Sequence, residues 1–165
     1  MKVTTNEASS TDLLIWKEPW IPNFNKKCKA IYKPNKKMIV LKSRNASNVQ
    51  AGLIQDVILE DNTYSYLLSC DMKIKRCKSN HSTSPCGAYI AVFNNETTET
   101  TRTQRYTAVT SDYIHLKLPF LVFKKGASYR IGVYVDGACH VEFSNIRLEK
   151  NVYHGHIFEE ESMMM

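Results

Sequence analysis

Gly52-Leu-Ile-Gln-Asp-Val-Ile-Leu-Glu-Asp-Asn-Thr-Tyr-Ser-Tyr-Leu-Leu-Ser-Cys-Asp-Met-Lys73 holds two apolar, β-branched-rich runs separated by the polar Glu60-Asp-Asn62. It reads as strand, turn, strand, a central hairpin. In the second run Tyr64, Tyr66, Leu68, Cys70, Met72 and Ile74 share one face and are expected to point into a core. The segment from Tyr113 to Leu148 repeats the pattern, with Lys124-Lys-Gly126 and Asp136-Gly137 as turns. Ile114, Leu116 and Leu118 alternate inward, and Pro119 is expected to end that ladder. Tyr129, Ile131, Val133 and Val135 form the next core face, which leaves Arg130, Gly132 and Tyr134 on the opposite one. The expected fold is all-β: a single-domain antiparallel jelly-roll β-sandwich of about eight or more strands.

Outward from this centre, residues 1–12 read as a flexible lead-in, 13–150 as the sandwich and 151–165 as a C-terminal tail. Leu13-Leu-Ile-Trp16 is a candidate first strand. Pro19 and Pro22 turn the residues after it into an aromatic-rich loop. Lys75 to Pro85 reads as a polar loop, Asn94 to Gln104 as an exposed connection, and Arg105 to Val109 as a short strand. With 43% hydrophobic and 23% charged residues the chain has ordinary globular composition. No apolar run is long enough to span a bilayer. The opening Met1 to Asp12 lacks the apolar core of a secretory signal. Localisation is left open, with an extracellular or virion-associated setting favoured.

The net charge of +6 favours acidic partners, and its alternative reading is solubility alone. The charge is densest between Lys26 and Lys37, where six lysines fall. Lys26, Lys27, Lys29, Lys36 and Lys37 are therefore candidates for an anionic-surface patch; the competing reading is a solvated edge strand whose lysines deter pairing. An anionic polymer or a protein could be the partner, and specific nucleic-acid recognition is not expected, because Tyr32 alone interleaves the lysines. Five cysteines are an odd number; Cys77 and Cys86 bracket a polar loop that a disulfide could close. His154-Gly-His156 offers two imidazoles without a third ligand, so no metal site is assigned. The sequence carries no Gly-rich phosphate loop, His-Glu-x-x-His helix or nucleophile elbow, and no catalytic residue is assigned.

The stretch Leu53 to Lys73, with Gln55 on its first strand and Tyr66-Leu-Leu-Ser69 on its second, resembles carbohydrate-binding modules of the galactose-binding-like jelly-roll group. The likeness continues through Phe123 to Val135 and the closing Val141-Glu-Phe-Ser-Asn-Ile-Arg-Leu148. It implies two antiparallel sheets, a glycan or polysaccharide held on a concave face, no catalysis and no cofactor beyond the structural calcium of several members. Ser144-Asn145 stands where many members carry acidic residues, a departure that argues against calcium here. On the concave sheet Gln55, Arg130 and Tyr134 are the candidate ligand contacts, since an aromatic stacks on a pyranose while amide and guanidinium groups bond its hydroxyls. Tyr134 reads equally well as cover for the second face of its sheet. Trp20 and Tyr89 are secondary candidates, and Trp20 has plugging of the core as its favoured role. The alternative function is a structural or attachment module, viral or phage, acting by contact with a protein or an anionic surface.

Overall fold

A computed structural model describes residues 12–24, 27–44, 49–60, 65–78 and 86–151. These residues form ten strands: β1 (Ile21–Asn23), β2 (Cys28–Lys33), β3 (Met38–Ser43), β4 (Ala51–Leu59), β5 (Ser65–Lys78), β6 (Gly87–Asn94), β7 (Thr100–Arg102), β8 (Ile114–Leu121), β9 (Ala127–Asp136) and β10 (Ala138–Lys150). The strands make two five-stranded antiparallel sheets, in the orders β1-β4-β9-β6-β7 and β2-β3-β10-β5-β8. The architecture is an antiparallel jelly-roll β-sandwich. Its core interleaves the inward residues of both sheets: Leu53, Ile90, Ile131 and Val133 from the first, with Leu41, Leu68, Ile74 and Phe143 from the second. Tyr66, Cys70 and Met72 are buried as the alternation requires; Tyr64 lies outside the described residues.

The central hairpin is not a hairpin. β4 pairs with β1 and β9, whereas β5 pairs with β10 and β8, so the chain changes sheets between them. Alternation identifies which face of a strand is buried, and two strands facing one core from opposite sheets carry the same signature as two neighbours. β5 also runs on to Lys78, through the first four residues of the expected Lys75–Pro85 loop, the rest of which lies outside the described residues. His140 lies opposite Arg76 and Val141 opposite Ile74, which leaves Lys75 as the extra residue of a β-bulge and breaks the alternation there.

Of the three prolines expected to interrupt strands, Pro19 lies outside any strand, but Pro22 in β1 and Pro119 in β8 sit inside edge strands. At an edge the missing N–H removes no ladder bond if it points outward. Leu13–Trp16 is no strand, although Leu13 N–H donates to the Leu148 carbonyl at 2.8 Å. Asp12 accepts from the N–H groups of Leu14 and Leu148, both at 3.1 Å, so the end of the expected flexible lead-in is stitched to β10. The Thr-rich connection contains β7, and Arg105–Val109 contributes only a bridge between Tyr106 and Ala88.

β9 passes into β10 through Gly137 alone, at φ 82°, and the chain crosses from one sheet to the other in that single residue. Beside it the carboxylate of Asp136 is fully buried. It accepts hydrogen bonds from Gln50 N–H at 2.6 Å and Tyr89 O–H at 3.4 Å, and pairs with Arg105 Nε at 2.5 Å. One side chain thus ties the lead-in to β4, the start of β6 and the segment after β7 to the corner. Asp136→Asn should lower the unfolding free energy by about 3 kcal/mol, because it leaves the guanidinium of Arg105 facing a neutral amide. Asp136→Ala should cost more, since the bond to Gln50 is lost as well; urea denaturation of both variants measures the difference.

Cys77 Sγ lies 3.0 Å from Cys86 Sγ and 2.8 Å from Cys139 Sγ, so the expected pair has a third member. Cys139 stands directly opposite Cys77 across β10 and β5. All five cysteines are free thiols. The hydrogen bond with Cys139 and burial raise the Cys77 pKa, and burial pushes Cys86 up to about 11, so both stay protonated at neutral pH. The three sulfurs lie within 4.8 Å of one another, a set that could also serve a soft metal. Under a disulfide oxidant one pair of the three should bridge and leave the third as a thiol, and Cys77→Ser should leave Cys86–Cys139 as the one bridge the cluster can form. Non-reducing peptide mass mapping reads the outcome.

Candidate functional site

Each strand of the first sheet turns its second set of side chains away from the core, and these sets register across the sheet. Gly52 of β4 stands opposite Tyr134 of β9, which stands opposite Tyr89 of β6. The next row is Ile54, Gly132, Ala91 and Arg102; the one after is Asp56, Arg130, Phe93 and Thr100. The rows floor a groove of about 420 Å³ whose lining includes Gln50, Tyr89, Arg102, Arg105, Arg130 and Tyr134.

The floor is apolar and closely packed. Ile54, Tyr89, Ala91 and Tyr134 form a small buried cluster separate from the main core. The Tyr134 ring lies down over Gly132, where an added Cβ would come within 2.4 Å of ring atoms. It stacks on Tyr89 with centroids 5.4 Å apart and planes 21° off parallel. The guanidinium groups of Arg102 and Arg105 sit 5.6 and 5.5 Å from the Tyr89 centroid. Tyr134 is therefore only 8% exposed and Tyr89 3%. They are floor rather than protruding platforms. Burial raises the pKa of both phenols, which stay neutral donors over the physiological range. Arg130 is half-buried, with Nε 3.2 Å from Asp56 Oδ1, and Asn95 Nδ2 is the same distance from that oxygen.

The sequence-derived candidates separate. Arg130, Tyr134 and Tyr89 come together in this groove. Gln55 does not: it stands opposite Ile131, in phase with Leu53 and Val57 on the inward side of β4. Its amide is used up in two 2.8 Å bonds with the backbone of Ile15, accepting from N–H and donating to C=O. Trp20 is also elsewhere, 3% exposed in the core cluster with its ring 5.2 Å from that of Trp16. It plugs the sandwich. Lys26, His154 and His156 lie outside the described residues. The remaining lysines of the charged run divide: Lys27 and Lys29 flank the start of β2, while Lys36 sits on the turn at its other end and Lys37 bonds Asp12 at 2.5 Å.

Sequence reasoning missed Arg102, Arg105 and Gln50. Arg102 and Arg105 lie in the Thr-rich stretch and just after it, where periodicity was silent; Gln50 has a positive φ of 54° before β4 and is placed by Asp136.

No protein-family description matches the chain, and no curated protein matches its sequence. Solved structures do. A structure titled "CBM4 structure and function" superimposes at a TM-score of 0.52 with 10% sequence identity, over 78% of this chain and 77% of that one. One titled "Carbohydrate binding module family29" follows at a TM-score of 0.48 with 12% identity, covering 80% of this chain and 78% of that chain. The fold of this chain resembles that of carbohydrate-binding modules.

Proposed function

We propose that this protein is a non-catalytic carbohydrate-binding module that takes a neutral glycan on the outer, concave face of the first sheet. The observation that carries the reading is the groove itself. It combines an apolar tyrosine floor with a rim of guanidinium and amide groups on Arg102, Arg130 and Gln50, and a saccharide presents the complementary pattern of apolar ring faces and hydroxyl edges. The likeness of fold to a carbohydrate-binding module supports the same reading. The nearby carboxylates, Asp56 and Asp136, are each paired with an arginine, and that of Asp136 is fully buried.

The roles differ from residue to residue. Arg130, oriented by Asp56, donates to sugar hydroxyls, and Arg102 does so from the opposite bank. Tyr134 and Tyr89 present flat apolar surface from below. Because Tyr134 is buried, Tyr134→Ala would remove packing as well as contact, and its effect on binding would be confounded by lost stability. The arginines allow a cleaner test. A glycan array should yield neutral oligosaccharide hits, and titration calorimetry of the best hit should show affinity falling tenfold or more in Arg130→Ala and Arg102→Ala. Gln55→Glu should bind like the wild type wherever it remains folded. Absence of any saccharide hit, or wild-type affinity in both arginine variants, would remove the proposal.

A further inference from the structure

The opposite face of the sandwich carries a charge pattern that the glycan groove does not use. On the outer side of the second sheet, Lys29 of β2 stands opposite Lys42 of β3, Lys42 opposite His140 of β10, and His140 opposite Arg76 of β5. Four neighbouring strands thus place four basic side chains in one row, about 14 Å long at the usual strand spacing. Arg44 and Lys27, two residues along the chain from Lys42 and Lys29, lie beside the row at its β2–β3 end, and the β5 bulge turns Lys75 outward beside Arg76.

Like charges placed directly opposite destabilise a sheet. Protection of an exposed edge would explain Lys29, which is on the edge strand β2, but not Lys42 or Arg76, which are on interior strands. Among the described residues no ion pair neutralises Lys29, Lys42, Arg44 or Arg76. Lys75 reaches a carboxylate, that of Glu142 at 2.7 Å. Burial, with Lys42 and Lys75 close by, pushes the His140 pKa down, as a crowded positive field demands. Two contiguous grooves lie along the row and share Lys42 and Arg44; the larger, about 640 Å³, is walled by these two with Lys75, Arg76 and His140.

We infer that this basic row is a second binding site, for a linear sulfated polysaccharide that lies across β2, β3, β10 and β5. A line of cations suits a chain of repeated anionic groups better than one isolated anion. The groove walls are lysine, arginine and histidine without a tyrosine, phenylalanine or tryptophan, so they lack the run of large aromatic rings on which successive unpaired bases stack. The site owes little to the lysine-rich run as such: Lys33 and Lys36 lie beyond it at the far end of β2.

Heparin serves as the probe. The wild type should bind a heparin column and elute at a salt concentration that Lys29→Gln/Lys42→Gln/Arg76→Gln lowers strongly, with the logarithmic salt slope reduced by about three ions. Lys33→Gln/Lys36→Gln/Lys117→Gln removes the same charge from exposed positions elsewhere and should elute close to wild type. Binding of neutral oligosaccharide should be the same in both variants, which separates this site from the groove on the first sheet. Lysine acylation of the unaltered protein, read by mass spectrometry, provides a test that depends on no variant. Heparin should protect Lys29, Lys42 and Lys75 while Lys33, Lys36 and Lys117 react at their free rates. Equal shifts in both variants, uniform protection, or failure to bind heparin at low salt would each overturn the inference. Tighter binding of duplex or single-stranded DNA than of heparin at matched salt would overturn it in favour of nucleic acid.

Discussion

The buried carboxylate of Asp136 is the constraint on which the arrangement depends. A jelly roll must hand the chain from one sheet to the other, and here β9 does so through one glycine. So abrupt a corner exposes backbone and strand ends that need partners. Asp136 supplies them from inside, drawing in Gln50, Tyr89 and Arg105. Those same three residues line the groove on the first sheet. Stability at the corner and the shape of the candidate site are therefore one piece of chemistry, and the buried ion pair is kept where it fixes geometry rather than where it adds most to stability.

The fold class was readable because the core of a sandwich imposes period-two burial. Every second residue from Tyr66 to Ile74 and from Tyr129 to Val135 is buried, with Ser69, Gly132 and Tyr134 the members of the other set that are buried too. Partner choice was not readable. The inward faces of β4 and β5 look alike whether the strands are neighbours or face each other across the core. Local irregularities hid the rest. Lys75 breaks the alternation of β5 at its bulge, Pro22 and Pro119 mimic strand ends, and three residues of β7 are too few to show a period.

The candidate site was legible by half. Arg130 and Tyr134 were placed on the outer face correctly, because that follows from the parity of β9 alone. Gln55 was assigned with them by chemistry, yet its own parity puts it inward, and the backbone of Ile15 consumes its amide. Charge density along the chain was a poor guide to charge density in space. The row from Lys29 to Arg76 draws one residue from each of four strands, so no window of sequence contains it.

The edges of the two sheets set how such a molecule can meet others. Pro22 lies on one edge of the first sheet and the other edge is the three-residue β7. Pro119 lies on one edge of the second sheet, and lysines of β2 guard the other. Strand addition is discouraged on all four sides. Crowding of many copies would then not seed fibrils through these edges, and each copy would meet others through its two broad surfaces.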